Sequence, residues 1–197
     1  MPLASIVAVS AATRLGLWRM TEEPASQGKL YDEARKRFKS AARQREFICV
    51  RLLLKSMLPT DTPYIIYEES GRPRLSNGDN ISISHTLGLC AVIVSSDNVV
   101  AVDIEKMSDR VERVADRFLR DDEKPTDTMT KLMYWCAKET MYKLFPADRL
   151  TFSDILVSPA GSCKLLSVRN LRRDIDVEIH CIADDEYVMT YACMARE

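Results

Sequence analysis

Hydrophobic positions change their period along the chain, and each change marks an element. Alternation predicts strands over 6–9 and 14–20, while Ala34, Phe38, Ala41, Ile48 and Leu52 recur at helical spacing and predict one helix over 30–55. Pro59 and Pro63 close that helix. Extended segments are expected over 64–68, 80–85 and 89–95, with Ser96, Asp97 and Asn98 as a hairpin turn leading into Val99. The second stretch predicts a strand over 99–105, helices over 108–119 and 127–145, and strands over 152–158, 164–168, 177–182 and 187–194. The last turn falls at 183–186. This is an α+β chain of two halves, 1–98 and 99–197, each reading as strand, helix, strands, with no repeat visible at the level of sequence.

Composition sets bounds on that picture. With 197 residues, 46% hydrophobic and 29% charged, the chain buries a sizeable core, as one domain or two small, tightly joined ones. A net charge of −1 gives no reason to expect a nucleic-acid or membrane partner, and no run approaches the ~20 apolar residues of a membrane helix. The stretch 35–45 is nevertheless locally basic and needs an explanation of its own. Cys49, Cys90, Cys136, Cys163, Cys181 and Cys193 are spread singly, which argues against zinc and against a compact disulfide framework. They are expected to be reduced core residues of a cytoplasmic protein. The opening residues MPLASIVAVSAA form a short apolar run with no basic residue before it, and are expected to be a strand rather than a secretory leader.

Candidate chemistry lies in two acidic segments about thirty residues apart. In VVAVDIE, Asp103 and Glu105 stand two apart on a strand, so both carboxylates leave one face, ~6–7 Å from each other, and favour a bound cation. In WCAKETMYK, Glu139 and Lys143 stand four apart on a helix and point the same way. Met133, Cys136, Ala137, Thr140, Met141 and Leu144 stripe one side of that helix, while Lys138, Glu139, Tyr142 and Lys143 take the other. Trp135, at the edge, is expected to pack. Taken singly, a Glu–Lys pair at helical spacing is an ordinary solvated pair, and acids on the wet face of a sheet are equally ordinary. A third segment, ISISHT at 81–86, changes the balance, because it sets Ile81, Ile83 and His85 on one side of a strand before a turn at Gly88. The other histidine, His180, has no such company and is expected to be structural.

The ordered set ISISHT, VDIE, RFL with an acid at Glu123, and W-x-x-K-E-x-x-x-K resembles the 4'-phosphopantetheinyl transferases, in their monomeric, pseudo-twofold class. The resemblance extends upstream to the basic helix around Arg43, Arg45, Glu46 and Phe47 and to Gly71-Arg72-Pro73; beyond about residue 151 only the strand rhythm matches. It implies two similar halves, each an antiparallel sheet packed on a long helix, with the active site at the junction between them. It also implies transfer of the 4'-phosphopantetheine arm from coenzyme A to a serine of an apo acyl or peptidyl carrier protein, in a cytoplasmic monomer. Asp103, Glu105 and Glu139 then hold Mg²⁺, or Mn²⁺, which neutralises the diphosphate. One carboxylate, or a water on the metal, takes the serine proton; Glu139 is the choice here. Lys143 opposes charge on the leaving oxygen, with Lys138 a weaker candidate for that task. Glu123 either orients metal or water or is a helix-start acid.

By position, the same resemblance gives the 3'-phosphate of coenzyme A to Arg45, His85 and one of Lys36 or Arg37, with Ser84 beside His85 among the coenzyme-binding residues. Register around Arg43 and Arg45 is open to a slip of one or two residues. Arg72 and Pro73 stand where the family more usually has Gly-Lys-Pro near the adenine, and Ala101 stands where it commonly has glycine. Two rival classes are a non-catalytic coenzyme A or carrier-binding relative and a magnesium-dependent diphosphate hydrolase. No glycine-rich phosphate loop accompanies the acids.

Overall fold

The computed structural model describes residues 3–60, 62–69, 71–162 and 164–196, which divide into two compact units, Met1–Asp97 and Asn98–Glu197. In the first, strands β1 (Leu3–Ala8) and β2 (Thr13–Arg19) are followed by helices α1 (Lys29–Arg37) and α2 (Ala41–Met57). Strands β3 (Ile65–Tyr67), β4 (Pro73–Leu75), β5 (Asn80–Thr86) and β6 (Leu89–Ser95) then complete a six-stranded antiparallel sheet in the order β1-β2-β6-β5-β4-β3. The second unit runs from β7 (Asn98–Lys106) through α3 (Ala115–Phe118) and α4 (Thr128–Leu144) to β8 (Ile155–Ser162), β9 (Leu165–Asn170), β10 (Ile175–Ala183) and β11 (Tyr187–Ala195). Its antiparallel sheet has the order β7-β11-β10-β9-β8.

Apart from the extra strand β1, the two units share one wiring. A first strand leads into helices, four strands return as a meander, and the last of them pairs beside the first, β6 on β2 and β11 on β7. Each unit closes its own core. In the first, Leu53, Leu54 and Met57 of α2 pack with Trp18, Ile81, Cys90 and Val92. Gly16 permits this approach, because a Cβ there would stand 2.6 Å from Met57 Sδ and 2.8 Å from Leu53 Cδ1. In the second, Cys136, Ala137, Met141 and Leu144 of α4 pack with Ala101, Val168, Ile179, Val188 and Ala192.

Several expectations are corrected. The single helix over 30–55 is two, because Phe38 is extended (φ −130°, ψ 135°) and turns back so that its ring meets Phe47 at 5.6 Å. The Gln44 side chain donates to the Phe38 carbonyl and satisfies the broken end. Ser96, Asp97 and Asn98 do not close a hairpin, since β6 and β7 lie in different sheets. The helix over 108–119 shrinks to a 3-10 turn at Glu112–Val114 and the four residues of α3; among them only Ala115 and Phe118 are buried. The three-residue strand β4 is too short to show an alternation in the sequence. The turn at Gly88 is found as expected, with φ +80° between the paired ends Thr86 and Leu89.

Cys49, Cys90, Cys136 and Cys181 are buried, Cys193 is half-buried, and Cys163 lies outside the described residues. His180 stacks on Tyr191 at 4.9 Å. Among the described residues no helix is long and apolar enough to cross a membrane.

Candidate functional site

Strand register and helix period together build the acidic cluster of the second unit. Asp103 pairs across the sheet with Thr190, and Glu105 with Val188, so these side chains share the face on which Ala101, Val188 and Ala192 meet α4. Along α4, Cys136 Sγ lies 3.8 Å from the Val188 carbonyl and Thr140 Oγ1 lies 2.7 Å from Thr190 Oγ1. One turn on, Lys143 Nζ donates to Asp103 Oδ1 at 2.7 Å and to the Val102 carbonyl at 2.9 Å. Residues 136, 140 and 143 therefore track the sheet, and Glu139 stands beside that seam at the edge of the helix's open face.

Asp103 is only 5% exposed, and the ion pair uses Oδ1 while Oδ2 is buried beside it. Glu139 and Glu105 are half-buried. Burial pushes the Glu139 carboxyl above its ordinary range; the negative charges of Asp103 and Glu105 push it the same way, and Lys143 pulls it down. Asp103 and Glu105 are thus both within electrostatic reach of Glu139. Burial, with Asp103 and Glu105 nearby, holds the Cys136 thiol well above its usual value and leaves it inert. The methyl of Ala101 lies in the core, fully buried against α4, where a glycine would leave it out.

The donor chemistry of the three carboxylates fits a hard divalent cation, since all the ligands are oxygens and a positive charge among them would relieve the repulsion that raises Glu139. Among the described residues, however, no group of three or more His, Cys, Asp or Glu side chains is drawn together tightly enough to hold a metal. The Lys143 ammonium provides the positive charge at Asp103. Beside Glu105 opens a pocket of about 160 Å³ lined by Ser108, Arg110, Val111, Val114, Leu132 and Trp135 among others.

Lys138 and Glu123 depart from expectation. Lys138 is fully buried and donates to the carbonyls of Phe118, Phe152 and Ile155 at 2.9–3.1 Å while pairing with Glu123 at 2.7 Å. Glu123 in turn accepts from the amides of Arg120 and Val157. Neither side chain reaches solvent, so the lysine is not a phosphate ligand and the glutamate neither orients a metal nor starts a helix. Trp135 packs as expected, with ring contacts to Phe118 at 5.2 Å and Phe152 at 5.3 Å.

The first unit holds a separate, basic pocket of about 120 Å³, lined by Phe38, Arg43, Glu46, Phe47, Val50, Arg51, Tyr67, Ile83 and His85. His85 and Ile83 reach it from β5, with His85 Nε2 at 3.4 Å from Glu46, which also holds Arg43 at 3.0 Å. Arg51 lies flat on the Phe47 ring at 3.3 Å, and Arg37 stands 5.6 Å over Tyr67. Burial lowers the Arg51 pKa, opposed by Tyr67 and Glu33, yet a guanidinium keeps its charge. Positions 43, 47 and 51 are successive turns of one helical face, the signal in the sequence that identifies Arg43 and Arg51.

Expected coenzyme-binding residues divide accordingly. His85 lines the pocket and Arg37 stacks on its rings. Arg45 does not join them, because its Nε donates to the Glu22 carbonyl. Lys36 is exposed on α1. Ser84 is buried on the face of β5 opposite His85, as strand alternation requires. Arg72 and Pro73 belong to the β3–β4 hairpin and do not line this pocket.

Residues 99–192 match the family model described as the 4'-phosphopantetheinyl transferase superfamily, a span that contains Asp103, Glu105, Glu139 and Lys143. No curated protein matches the chain in sequence.

Proposed function

We propose that this chain, whose residues 99–192 form a domain of the 4'-phosphopantetheinyl transferase superfamily, carries the 4'-phosphopantetheine arm from coenzyme A to a serine hydroxyl of an apo acyl or peptidyl carrier protein, releasing adenosine 3',5'-bisphosphate. The observation that carries this reading is the approach of Glu139 and Lys143 on α4 to Asp103 and Glu105 on β7. Asp103, Glu105 and Glu139 are the residues that would hold a divalent cation, Mg²⁺ or Mn²⁺, whose charge screens the diphosphate when bound.

Glu139 takes the serine proton. It stands at the edge of the open face of α4 rather than beneath it, within reach of an incoming hydroxyl. Lys143 answers the negative charge that develops on the leaving oxygen. The pocket formed by Arg43, Arg51 and His85 is assigned the 3'-phosphate, since two guanidiniums beside an imidazole suit a phosphomonoester. The mixed polar and apolar pocket that Glu105 helps to line is assigned to the acceptor side of the reaction. In this reading the chain works as a cytoplasmic monomer.

Incubation with coenzyme A, Mg²⁺ and an apo carrier protein, followed by intact-mass measurement of the carrier, tests the proposal. Gain of the arm is the expected result. Phosphopantetheine released without attachment would mean a diphosphate hydrolase, and neither product would mean a non-catalytic binder.

A further inference from the structure

We propose that the open edge of β3 is a docking site for an extended acidic segment of a partner protein, which pairs with Ile65 and Tyr67 as an added antiparallel strand and lies over a basic groove of the first unit. The transferase reading is not needed for it.

Backbone geometry comes first. Strand β3 ends its sheet, with β4 as its neighbour on one side. Along a strand, the N–H and C=O of successive residues point to opposite sides. The Tyr64 carbonyl accepts from the Ser76 amide at 2.9 Å and the Glu68 amide donates to the Arg72 carbonyl at 3.0 Å, so 64, 66 and 68 turn towards β4 while Ile65 and Tyr67 turn outwards. Among the described residues no backbone hydrogen bond meets them on that side. Such a row of donors and acceptors is a template for a further strand.

The second unit shows how the same edge is closed. Its matching strand, β8, has eight residues, and Ile155 and Val157 on it are 1% and 2% exposed in one core with α4. Strand β3 has three residues, and between its approach, α1 and the last turns of α2 lies a groove of about 590 Å³. Leu30, Tyr31 and Leu52 line it and are only partly buried against the cluster of Ala34, Phe47 and Ile48, which gives the groove an apolar floor. Its charge is one-sided, with Lys29, Arg37, Arg51 and Lys55 against Glu33 among the described lining residues.

The two faces of an added strand therefore ask for different residues. Side chains on the face of Ile65 and Tyr67 lie over the groove, where a glutamate sets its aliphatic stem on the floor and its carboxylate among the cations. Those on the other face lie beside Tyr64 and Ile66, which are 81% and 53% exposed, and suit an aliphatic residue. Alternating acid and aliphatic is the pattern that fits.

The test is fluorescence anisotropy of the full chain with a labelled octapeptide alternating glutamate and valine, at about 0.15 M salt so that long-range surface attraction is screened. This peptide is expected to bind, and its lysine-for-glutamate counterpart is not. A version N-methylated at the glutamates keeps the charge and loses the donors opposite Ile65 and Tyr67, and is expected to bind roughly tenfold or more weakly. The double variant Lys29→Glu with Lys55→Glu, two exposed groove residues, is expected to weaken the parent peptide by roughly tenfold or more. Amide exchange read by NMR is expected to slow at Ile65 and Tyr67 when the peptide is bound. No binding of the parent peptide overturns the proposal. So does binding that survives N-methylation, which marks charge alone, and binding unchanged in the double variant, which places the peptide elsewhere. A self-associated chain that the peptide separates would make the occupant a second copy and overturn the partner.

Discussion

Lys138 and Glu123 form an ion pair of 2.7 Å in which both side chains are fully buried. Burial pulls the lysine pKa down, and the carboxylate beside it holds the ammonium in its charged form. The pair ties α4 to the end of α3, to the turn at Phe152–Asp154 and to the start of β8, while Thr140 and Cys136 tie the same helix to β11. Held on two sides, α4 has a fixed roll, and Glu139 follows from it. The lysine of the K-E motif is therefore a fastener, and its neighbour Glu139 is the one left on the open face.

Lys138→Ala strands Glu123 and three carbonyls in the core and is expected to cost about 3–5 kcal/mol in urea denaturation. Coenzyme A affinity of the folded protein, measured by calorimetry well below the unfolding midpoint, should stay within twofold (~2×) of wild type. A large loss of affinity in stable protein would return Lys138 to the ligand-binding set.

Arg51→Ala is expected to weaken adenosine 3',5'-bisphosphate binding by roughly tenfold or more, the value of a charge-assisted hydrogen bond, while leaving a ligand without the 3'-phosphate unaffected. Arg45→Ala, whose side chain is spent on the Glu22 carbonyl, should change neither affinity. Isothermal titration of the two ligands against the two variants decides which arginine faces the phosphate.

Glu139→Gln is expected to abolish arm transfer and, without metal, to raise the melting temperature at neutral pH. The folded-state pKa of Glu139 lies above its ordinary value of 4.5, so its stabilising effect is complete below about that pH, where both states are protonated, and is lost as pH rises through the folded pKa. The glutamine variant escapes that loss. Its thermal advantage over wild type should therefore shrink towards zero as the pH falls below the ordinary glutamate range, and saturating Mg²⁺ should reverse it at neutral pH. A pH-independent difference would rule out the electrostatic account.

Gly16→Ala is expected to destabilise the first unit by about 1–3 kcal/mol, because the added methyl runs into Met57 and Leu53, both buried. Met57→Ala in the same background should return part of the loss by making room. Chemical denaturation of the single and double variants measures both.

Much of the second unit was legible along the chain. The alternation around Asp103 and Glu105, and the four-residue step from Glu139 to Lys143, express the two periods that the backbone itself imposes, so the shared faces could be read without coordinates. The turn at Gly88, in the first unit, was legible in the same way. Less was legible in the first unit. One continuous helical pattern concealed the break at Phe38, because the energy that favours the break comes from Phe47 and Arg37, contacts that a hydrophobic period does not encode.

What the sequence determined by itself is which side chains share an element's face, since that depends only on the local repeat of strand or helix. Which faces meet was decided by tertiary structure, and burial then changed what the residues do: Lys138, set by its period on the helix face of Glu139 and Lys143, is a core fastener, and Arg45, placed among the phosphate ligands by resemblance, donates to a carbonyl. A charged group takes its role from the dielectric and the partners around it, and neither exists until distant segments have packed.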